Sequence, residues 1–269
     1  MIVHPNAKIN LGLNVLEKRS DGFHSIETVF YPIGMRDALE IIVSPDHRFS
    51  FTSSGRNIPG DPESNLCVRA WKDFSAIYCL PPVKIHLHKV IPMGSGLGGG
   101  SSDGAFTITL LDSLFSLNLS KETMIGHARK LGSDCAFFCI NKPVFATGKG
   151  DKFNPISLCL PDYKILVVVP GINMNTAAAY GMITPQIPGN HIQDLVSQPM
   201  INWENTLKND FEIPVFRQFP QISKLKERLY KIGAVYASMS GSGVAVYGIF
   251  PRGLPVSMVF KDCFVWLEA

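Results

Sequence analysis

The stretch Pro92-Met93-Gly94-Ser95-Gly96-Leu97-Gly98-Gly99-Gly100-Ser101-Ser102-Asp103 places five glycines within the seven positions 94–100. The residues before it, 83–91, read as a strand, and the apolar spacing of residues 105–117 predicts a helix. A glycine loop between a strand and a helix is typical of phosphate sites, because glycine lets backbone N–H groups converge on an anion. Ser101 and Ser102 could add hydroxyl donors or a metal ligand. A flexible turn is the weaker alternative, because each glycine costs backbone entropy on ordering.

Several families of phosphate loop are excluded by their own motifs. No Gly-Lys-Ser or Gly-Lys-Thr occurs in the chain, which excludes a P-loop NTPase. The protein-kinase loop requires HRD and DFG motifs, which are absent. Gly94-x-Gly96-x-x-Gly99 fits the dinucleotide fingerprint, but the acid at the expected distance, Asp112, falls inside the predicted helix. An oxidoreductase with a nucleotide cofactor is therefore the weaker enzyme alternative.

The remaining chain predicts an α+β protein of two domains. Short strands fill the first half, and the second half alternates strands with helices. The boundary is placed near residue 158, giving domains 1–158 and 159–269. Helices are predicted at 65–80, 120–131, 132–138, 175–183 and 219–232, and later strands at 144–147, 163–169 and 244–250.

Composition narrows the function classes. The chain has 269 residues, 46% of them hydrophobic and 17% charged, as in globular proteins. Its net charge of +3 is too small for non-specific binding of nucleic acid or an anionic membrane. Six scattered cysteines without metal-site spacing predict reduced thiols and a cytoplasmic location. No signal peptide or membrane span is expected, and the oligomeric state is left open.

Residues 92–103 resemble the central ATP-binding motif of the GHMP kinase superfamily, usually written PxxxGLGSSAA. Four further stretches follow that superfamily's order, so that the match spans about residues 1–250. They are Pro5-Asn6-Ala7-Lys8-Ile9-Asn10 with Arg19-Ser20-Asp21-Gly22-Phe23-His24, Gly132-Ser133-Asp134, Ala146-Thr147-Gly148-Lys149-Gly150 and Met239-Ser240-Gly241-Ser242-Gly243. The chain is most similar to the branch that phosphorylates 4-diphosphocytidyl-2-C-methyl-D-erythritol (CDP-methylerythritol) in the non-mevalonate isoprenoid pathway.

The resemblance implies a two-domain fold, with an N-terminal ATP domain resembling a ribosomal protein and a C-terminal α/β sandwich. It also implies Lys8 and Asp134 as the catalytic pair. Asp134 would accept the proton of the substrate hydroxyl, and Lys8 would keep that carboxylate ionised and contact the transferred phosphate. From the residues alone, Asp134 could equally cap a helix, and Lys8 could be a surface charge. The ribosomal-protein likeness also leaves an RNA-binding module as an alternative, which the weak net charge disfavours.

The same resemblance assigns the ATP site, with Mg²⁺ held mainly by the ATP phosphates. Lys89, Asn65 and Leu66 would lie near adenine or its ribose, although each could instead be a strand-end charge or a helix start. The implied ATP-binding residues are Pro92, Met93, Gly94, Ser95, Gly96, Leu97, Gly98, Gly99, Gly100, Ser101, Ser102, Lys89, Asn65 and Leu66.

The resemblance implies that Asn10, Phe23, His24, Thr176 and Tyr180 bind the small-molecule substrate CDP-methylerythritol. Phe23 would stack on cytosine, His24 would read the base edge, and Tyr180, four residues after Thr176, would cover the opposite face. Many members carry Tyr at the position of Phe23 and Phe at that of Tyr180, and both exchanges keep an aromatic face. The alternatives are core packing for the two aromatic residues and a capped or surface position for His24.

Two further stretches have open interpretations. The segment Gly241, Ser242 and Gly243 resembles the superfamily's third motif, which would support the nucleotide loop, although a plain hairpin turn is an alternative. His86 and His88 alternate onto one strand face and could suggest a metal pair, but no third ligand is placed, so solvated residues are favoured.

Overall fold

The computed structural model describes residues 1–172 and 174–268. In chain order, the strands among them are β1 (Ile2–Val3), β2 (Asn6–Lys18), β3 (His24–Arg36), β4 (Ala38–Val43), β5 (Ser50–Gly55), β6 (Val83–Lys89), β7 (Val144–Thr147), β8 (Lys152–Pro155), β9 (Tyr163–Pro170), β10 (Tyr236–Met239), β11 (Val246–Pro251) and β12 (Cys263–Leu267). The α-helices are α1 (Leu66–Tyr78), α2 (Gly99–Phe115), α3 (Lys121–Leu131), α4 (Cys135–Ile140), α5 (Thr176–Gly181), α6 (Ile192–Val196), α7 (Trp203–Thr206), α8 (Glu212–Gln218) and α9 (Pro220–Lys231). Short 3-10 turns lie at Pro62–Ser64 and Met200–Asn202.

The chain divides into two compact units that are discontinuous in sequence. The first unit contains Met1–Ala7, Gly34–Met93 and Gly98–Lys142, and the second contains Lys8–Ile33, Gly94–Leu97 and Pro143–Ala269. The glycine-rich stretch therefore contributes residues to both units. The contiguous division at residue 158 stays a prediction.

The first unit is built on the sheet β1-β4-β6-β5, in which β5 and β6 are parallel. Side chains of β6 alternate, so that Val83, Ile85, Leu87 and Lys89 are buried while the residues between them are not. This period of two explains why a lysine at the end of an apolar strand points into the core. Helix α2 packs against α1, α3 and α4.

The second unit contains two four-stranded sheets, β2-β3-β7-β8 and β10-β11-β9-β12. In the latter, β9 pairs antiparallel with both β11 and β12, and its apolar run from Ile165 to Val169 is buried. Strands β10 and β11 form a hairpin in which Met239 lies opposite Val246. The segment that connects them contains the third motif.

Most predicted elements are present with ends shifted by a few residues, and β7 has the predicted bounds. Helix α2 is the main correction, since it begins at Gly99 and not at residue 105. The apolar periodicity starts later than the helix does, because the first turn must contain small residues. A Cβ at Gly99 would lie within about 3 Å of Ile91 and Lys89, so the first turn needs glycine at that position. No helix in the described part of the chain is both long and apolar enough to cross a membrane.

Candidate active site

The N-terminus of α2 has the backbone geometry of an anion site. Gly98 occupies the cap position with φ of +73°, and no described side chain caps this helix. The Ser102 N–H donates to the Gly98 carbonyl at 2.9 Å, which closes the first helical turn. The backbone N–H groups of the residues that precede Ser102 have no acceptor within the helix. A phosphate oxygen can therefore accept hydrogen bonds from them.

Asn65 and Leu66 begin α1. The Asn65 Oδ1 accepts the Cys67 N–H at 2.9 Å, so Asn65 is the N-cap and the helix-start interpretation is confirmed. Leu66 packs close to α2. A Cβ placed on Gly104 of that helix would lie only 2.9 Å from the Leu66 Cβ. Contact of Asn65 and Leu66 with ATP stays a prediction.

Lys89 is the last residue of β6 and is only 1% exposed, so it is a strand-end charge, but a buried one. Its ammonium donates to the carboxylates of Asp37 and, at 2.6 Å, Asp103. Asp37 also accepts the N–H groups of Val90 and Ile91 at 2.6 and 2.8 Å, which fixes the chain directly before the glycine loop. Burial raises the pKa of Asp103 to about 7, and the nearby Asp37 carboxylate adds to the shift while the Lys89 ammonium opposes it.

Lys8 is buried on β2, with 3% exposure. Its Nζ donates to the Asn10 Oδ1 at 2.6 Å and to the Gly96 carbonyl of the glycine loop at 2.9 Å. The same ammonium lies 5.0 Å from the centroid of the Phe30 ring. A buried cation joined to a phosphate-type loop is suited to stabilise negative charge on a phosphoryl group. The surface-charge interpretation of Lys8 is therefore wrong.

Asn10 is also buried and is held from three directions. Its Nδ2 donates to the Thr28 hydroxyl at 2.9 Å, and its Oδ1 accepts from Lys8. Its backbone carbonyl accepts the Tyr247 hydroxyl at 2.7 Å. The position of the Lys8 ammonium therefore depends on residues from β2, β3 and β11.

The third motif lies directly against residues 95–96 of the glycine loop. The Ser240 hydroxyl donates to the Gly96 carbonyl at 3.0 Å, and the Ala245 N–H donates to the Ser95 carbonyl at 3.0 Å. Gly96 has φ of +89°, and a Cβ there would collide with the Ser240 carbonyl and the Gly243 nitrogen. The segment is thus both a hairpin connection and a support for the loop.

Asp134 precedes α4 with φ of −76° and ψ of −17°, which is helical rather than the extended conformation usual at an N-cap. Within the described residues its carboxylate does not cap this helix, and it accepts a 3.5 Å hydrogen bond from the Ser133 hydroxyl. The N-cap alternative therefore lacks its defining hydrogen bond.

The predicted base-binding residues lie in the second unit. Phe23 is 56% exposed, so it is not a core residue, and the Lys149 ammonium lies 4.5 Å from the centroid of its ring. The His24 and Tyr180 rings stack on each other with centroids 4.8 Å apart. Tyr180 in turn packs edge-on against Phe211. Burial and the nearby Lys18 lower the pKa of His24, which favours a neutral imidazole. The side chain of Thr176 lies outside the described residues.

His86 and His88 belong to a hydrogen-bonded surface row. Their rings pair with the hydroxyls of Thr52 and Ser54 on β5 at 2.8–3.0 Å. Among the described residues, no group of three or more His, Cys, Asp or Glu side chains could hold a metal ion. The arrangement agrees with solvated strand residues.

Three supporting residues, Thr28, Asp37 and Asn209, are absent from the sequence-based prediction. Asn209 is buried, and its Nδ2 donates to the carbonyls of Met239 and Gly241 at 3.0 and 2.9 Å. These side chains form hydrogen bonds with residues that are distant in the sequence. No local motif therefore identifies them. The only signal for Thr28 and Asp37 is a polar residue inside or next to an otherwise apolar strand.

Comparisons with known proteins agree with this geometry. Residues 65–142 match the model for the GHMP kinases N terminal domain, and residues 194–257 match that for GHMP kinases C terminal. The chain is 52% identical over 251 residues to the 4-diphosphocytidyl-2-C-methyl-D-erythritol kinase of Cytophaga hutchinsonii, covering 93% of this chain and 92% of that protein. It is 45% identical over 268 residues to the kinase of the same name from Parabacteroides distasonis, covering 99% and 98%.

A solved structure supports the same assignment. The crystal structure of a 4-(cytidine 5'-diphospho)-2C-methyl-D-erythritol kinase superposes with a TM-score of 0.78 at 28% identity, covering 100% of this chain and 98% of that one. The α+β class and the two-domain GHMP fold predicted from the sequence are thereby confirmed. The chain therefore belongs to the GHMP kinases and, within them, to the family of 4-diphosphocytidyl-2-C-methyl-D-erythritol kinases.

Proposed function

We propose that this kinase transfers the γ-phosphoryl group of ATP to the 2-hydroxyl of CDP-methylerythritol, a step of the non-mevalonate isoprenoid pathway. One observation carries the proposal beyond family membership. The Lys8 ammonium is buried and bonded to Gly96 of the glycine-rich loop, where a negatively charged phosphoryl group would need a cation.

The proposed ATP site is formed by residues 92–102, with the backbone N–H groups at the start of α2 as donors to the phosphates. Mg²⁺ would accompany ATP and neutralise part of its charge. No three-ligand metal group exists among the described residues. The ion would be held mainly by phosphate oxygens and water, as Mg²⁺ commonly is in kinases. Asn65 and Leu66 complete the proposed ATP-binding set, and Lys89, whose ammonium is buried between Asp37 and Asp103, would support the loop and not contact the nucleotide directly.

Lys8 and Asp134 are the proposed catalytic residues. Asp134 would accept the proton of the attacking hydroxyl or orient that hydroxyl, and Lys8 would stabilise charge on the transferred group. Such a reaction needs little covalent work from the protein, so positioning and electrostatics supply most of the catalysis. Residues 241–243 would keep the loop in place through the hydrogen bonds of Ser240 and Ala245.

Phe23, His24 and Tyr180 are proposed to recognise the cytosine ring, with Asn10 and Thr176 completing the substrate site. The exposed face of Phe23 is suitable for stacking, since a base–aromatic contact is tolerant of ring identity. A neutral His24 retains both a donor and an acceptor nitrogen, which a base edge requires. The reaction is proposed to occur in the cytoplasm, which agrees with the six cysteines being free thiols.

The experiment that tests the proposed function is ADP release measured with four alcohols offered separately: CDP-methylerythritol, mevalonate, homoserine and galactose. ADP release is expected only with CDP-methylerythritol. Faster ADP release with one of the other three would instead assign a different GHMP alcohol kinase. Product analysis by phosphorus NMR would place the new phosphate on the 2-hydroxyl or exclude that position.

A further inference from the structure

Thr28 is the last side chain in a buried series of hydrogen bonds that begins at the glycine loop. The Lys8 Nζ donates to the Gly96 carbonyl at 2.9 Å and to the Asn10 Oδ1 at 2.6 Å. The Asn10 Nδ2 donates to the Thr28 Oγ1 at 2.9 Å, and the Thr28 hydroxyl donates to the Gly12 carbonyl at 2.5 Å. Thr28 itself has no exposed surface.

The chemistry of these groups allows one direction of donation. An ammonium only donates, so Asn10 must present its amide oxygen to Lys8. The Asn10 NH₂ group then faces Thr28, whose hydroxyl must accept from it. The hydroxyl hydrogen of Thr28 is consequently directed to the Gly12 carbonyl. Rotation of the Asn10 amide by 180° would bring its NH₂ group against the Lys8 ammonium, which two donors cannot satisfy.

Lys8 therefore selects the amide orientation of Asn10, and Thr28 supplies the acceptor that the Asn10 NH₂ group needs in that orientation. The Asn10 backbone is held independently by the Tyr247 hydroxyl, at 2.7 Å from its carbonyl. Only the side-chain amide of Asn10 depends on Thr28. Loss of the Thr28 hydroxyl would leave that NH₂ group buried without its acceptor and would weaken the restraint on Lys8.

We propose that Thr28 is a positioning residue of the phosphoryl-transfer reaction: through Asn10 it fixes the Lys8 ammonium beside Gly96. This inference rests on the proposed function, in which Lys8 is catalytic. Thr28 contacts neither substrate in this scheme. Its contribution is to hold the cation at one point, and phosphoryl transfer is sensitive to displacements of about 1 Å in a catalytic group.

The test compares Thr28→Val, Thr28→Ser and Lys8→Met in the full chain, together with the double variant of Thr28→Val and Lys8→Met. Thr28→Val keeps the β-branched shape but removes the hydroxyl, and it is expected to lower kcat by about 10- to 100-fold. KM for ATP should stay near wild type, and KM for CDP-methylerythritol should rise by a smaller factor than kcat falls, because Asn10 is itself a proposed substrate-binding residue. Thr28→Ser keeps the hydroxyl and should restore most of kcat. In the Lys8→Met background, Thr28→Val should cause no further loss of kcat.

Three outcomes would overturn the inference: wild-type kcat in Thr28→Val, equal loss in Thr28→Ser and Thr28→Val, or a full additional loss in the Lys8→Met background. Thermal unfolding of each variant separates loss of folded protein from loss of turnover. Thr28→Ala, which removes the hydroxyl without adding a buried methyl group, replaces Thr28→Val if the latter does not fold. Full activity of Lys8→Met would contradict the proposed role of Lys8 itself, whereas an inactive Lys8→Met with an active Thr28→Val contradicts only the role of Thr28.

Discussion

A lysine inside a protein needs acceptors that replace its lost water, because an unpaired buried charge is strongly unfavourable. Lys8 has two such acceptors in Asn10 and Gly96. At Lys89 the acceptors are the carboxylates of Asp37 and Asp103.

Asp134 provides a direct test of the catalytic proposal. Asp134→Asn keeps the size of the side chain but removes its ability to accept a proton, so kcat is expected to fall by about 10²–10⁴-fold. KM for ATP should change little, since the proposed ATP contacts lie elsewhere. Steady-state kinetics with both substrates measure this effect. The control is Glu122→Gln, an exposed acid in the first turn of α3. An active Asp134→Asn enzyme would remove Asp134 from the mechanism.

Phe23 tests recognition of the base. A stacked base contributes about 1–3 kcal/mol, so Phe23→Ala is expected to raise KM for CDP-methylerythritol roughly 5- to 150-fold. KM for ATP should not change. Ile187→Ala, at another highly exposed apolar residue of the second unit, is the control for a general surface effect. Equal increases in both KM values would contradict the stacking role.

The element that depends most on its neighbours is the glycine loop. Gly94 and Gly96 both have positive φ, at +66° and +89°, but their surroundings differ. A Cβ at Gly94 would meet no atom within 4 Å, whereas a Cβ at Gly96 would collide with the backbone of the third motif. Backbone atoms cannot move aside as a flexible side chain can. The loop and the hairpin segment therefore constrain each other.

Alanine substitutions at Gly94 and Gly96 separate the cost of backbone strain from the cost of a steric collision with the third motif. Gly94→Ala should cost about 1–2 kcal/mol, because alanine is strained at positive φ. Gly96→Ala carries the same strain and should cost roughly 1–3 kcal/mol more from overpacking, with a larger rise in KM for ATP. Urea unfolding and ATP kinetics of the two variants provide the comparison. Equal effects of the two substitutions would show that the contact with Ser240 and Gly243 is unimportant.

Strand β6 carries two lysines that pair with carboxylates in opposite environments, one buried and one exposed. Lys89 and its partners Asp37 and Asp103 are buried, while Lys84 is 37% exposed and pairs with Asp46 at 3.0 Å. Removing one partner of a buried pair leaves an uncompensated charge, whereas an exposed pair is screened by water. The stability of the protein should therefore depend strongly on one lysine and weakly on the other.

Lys89→Met should lower the free energy of unfolding by about 3–5 kcal/mol. Lys84→Met, the matched control on the same strand, should lower it by less than about 1 kcal/mol. Urea unfolding of both variants measures the difference. A small effect of Lys89→Met would show that Asp37 and Asp103 do not need the ammonium between them.

The pH dependence follows from the raised pKa of Asp103, about 7 in the folded protein against 3.8 for an ordinary aspartate. The folded state then binds a proton that the unfolded state releases, so this group stabilises the protein at low pH. Its contribution is lost as the pH rises through about 7. Lys89→Met removes the charge that opposes the shift, so its destabilisation should be larger at about pH 8 than at about pH 6. Equal effects at both values would contradict this assignment.

The local pattern of apolar and polar residues is sufficient to predict many of the helices and strands. The alternation of β6 and the apolar spacing of α1 and α9 reflect burial of one face, which depends on near neighbours in the chain. The apolar pattern predicts a start of α2 six residues too late, because Gly99 is required by its contact with Ile91 and Lys89 and not by helix propensity. The family itself followed from the order of short motifs, each of which is a local property of the sequence.

Short motifs in the sequence were enough to predict the glycine loop, Lys8 and Asp134 as site residues, and to indicate the kinase family. The contacts of these residues depend on the folded chain. The acceptor of Lys8 in the loop lies 88 residues away, and the Tyr247 hydroxyl that holds Asn10 lies 237 residues away. Hydrogen bonds and burial of this kind form between segments that the fold brings together. Their partners therefore cannot be deduced from residue spacing along the chain.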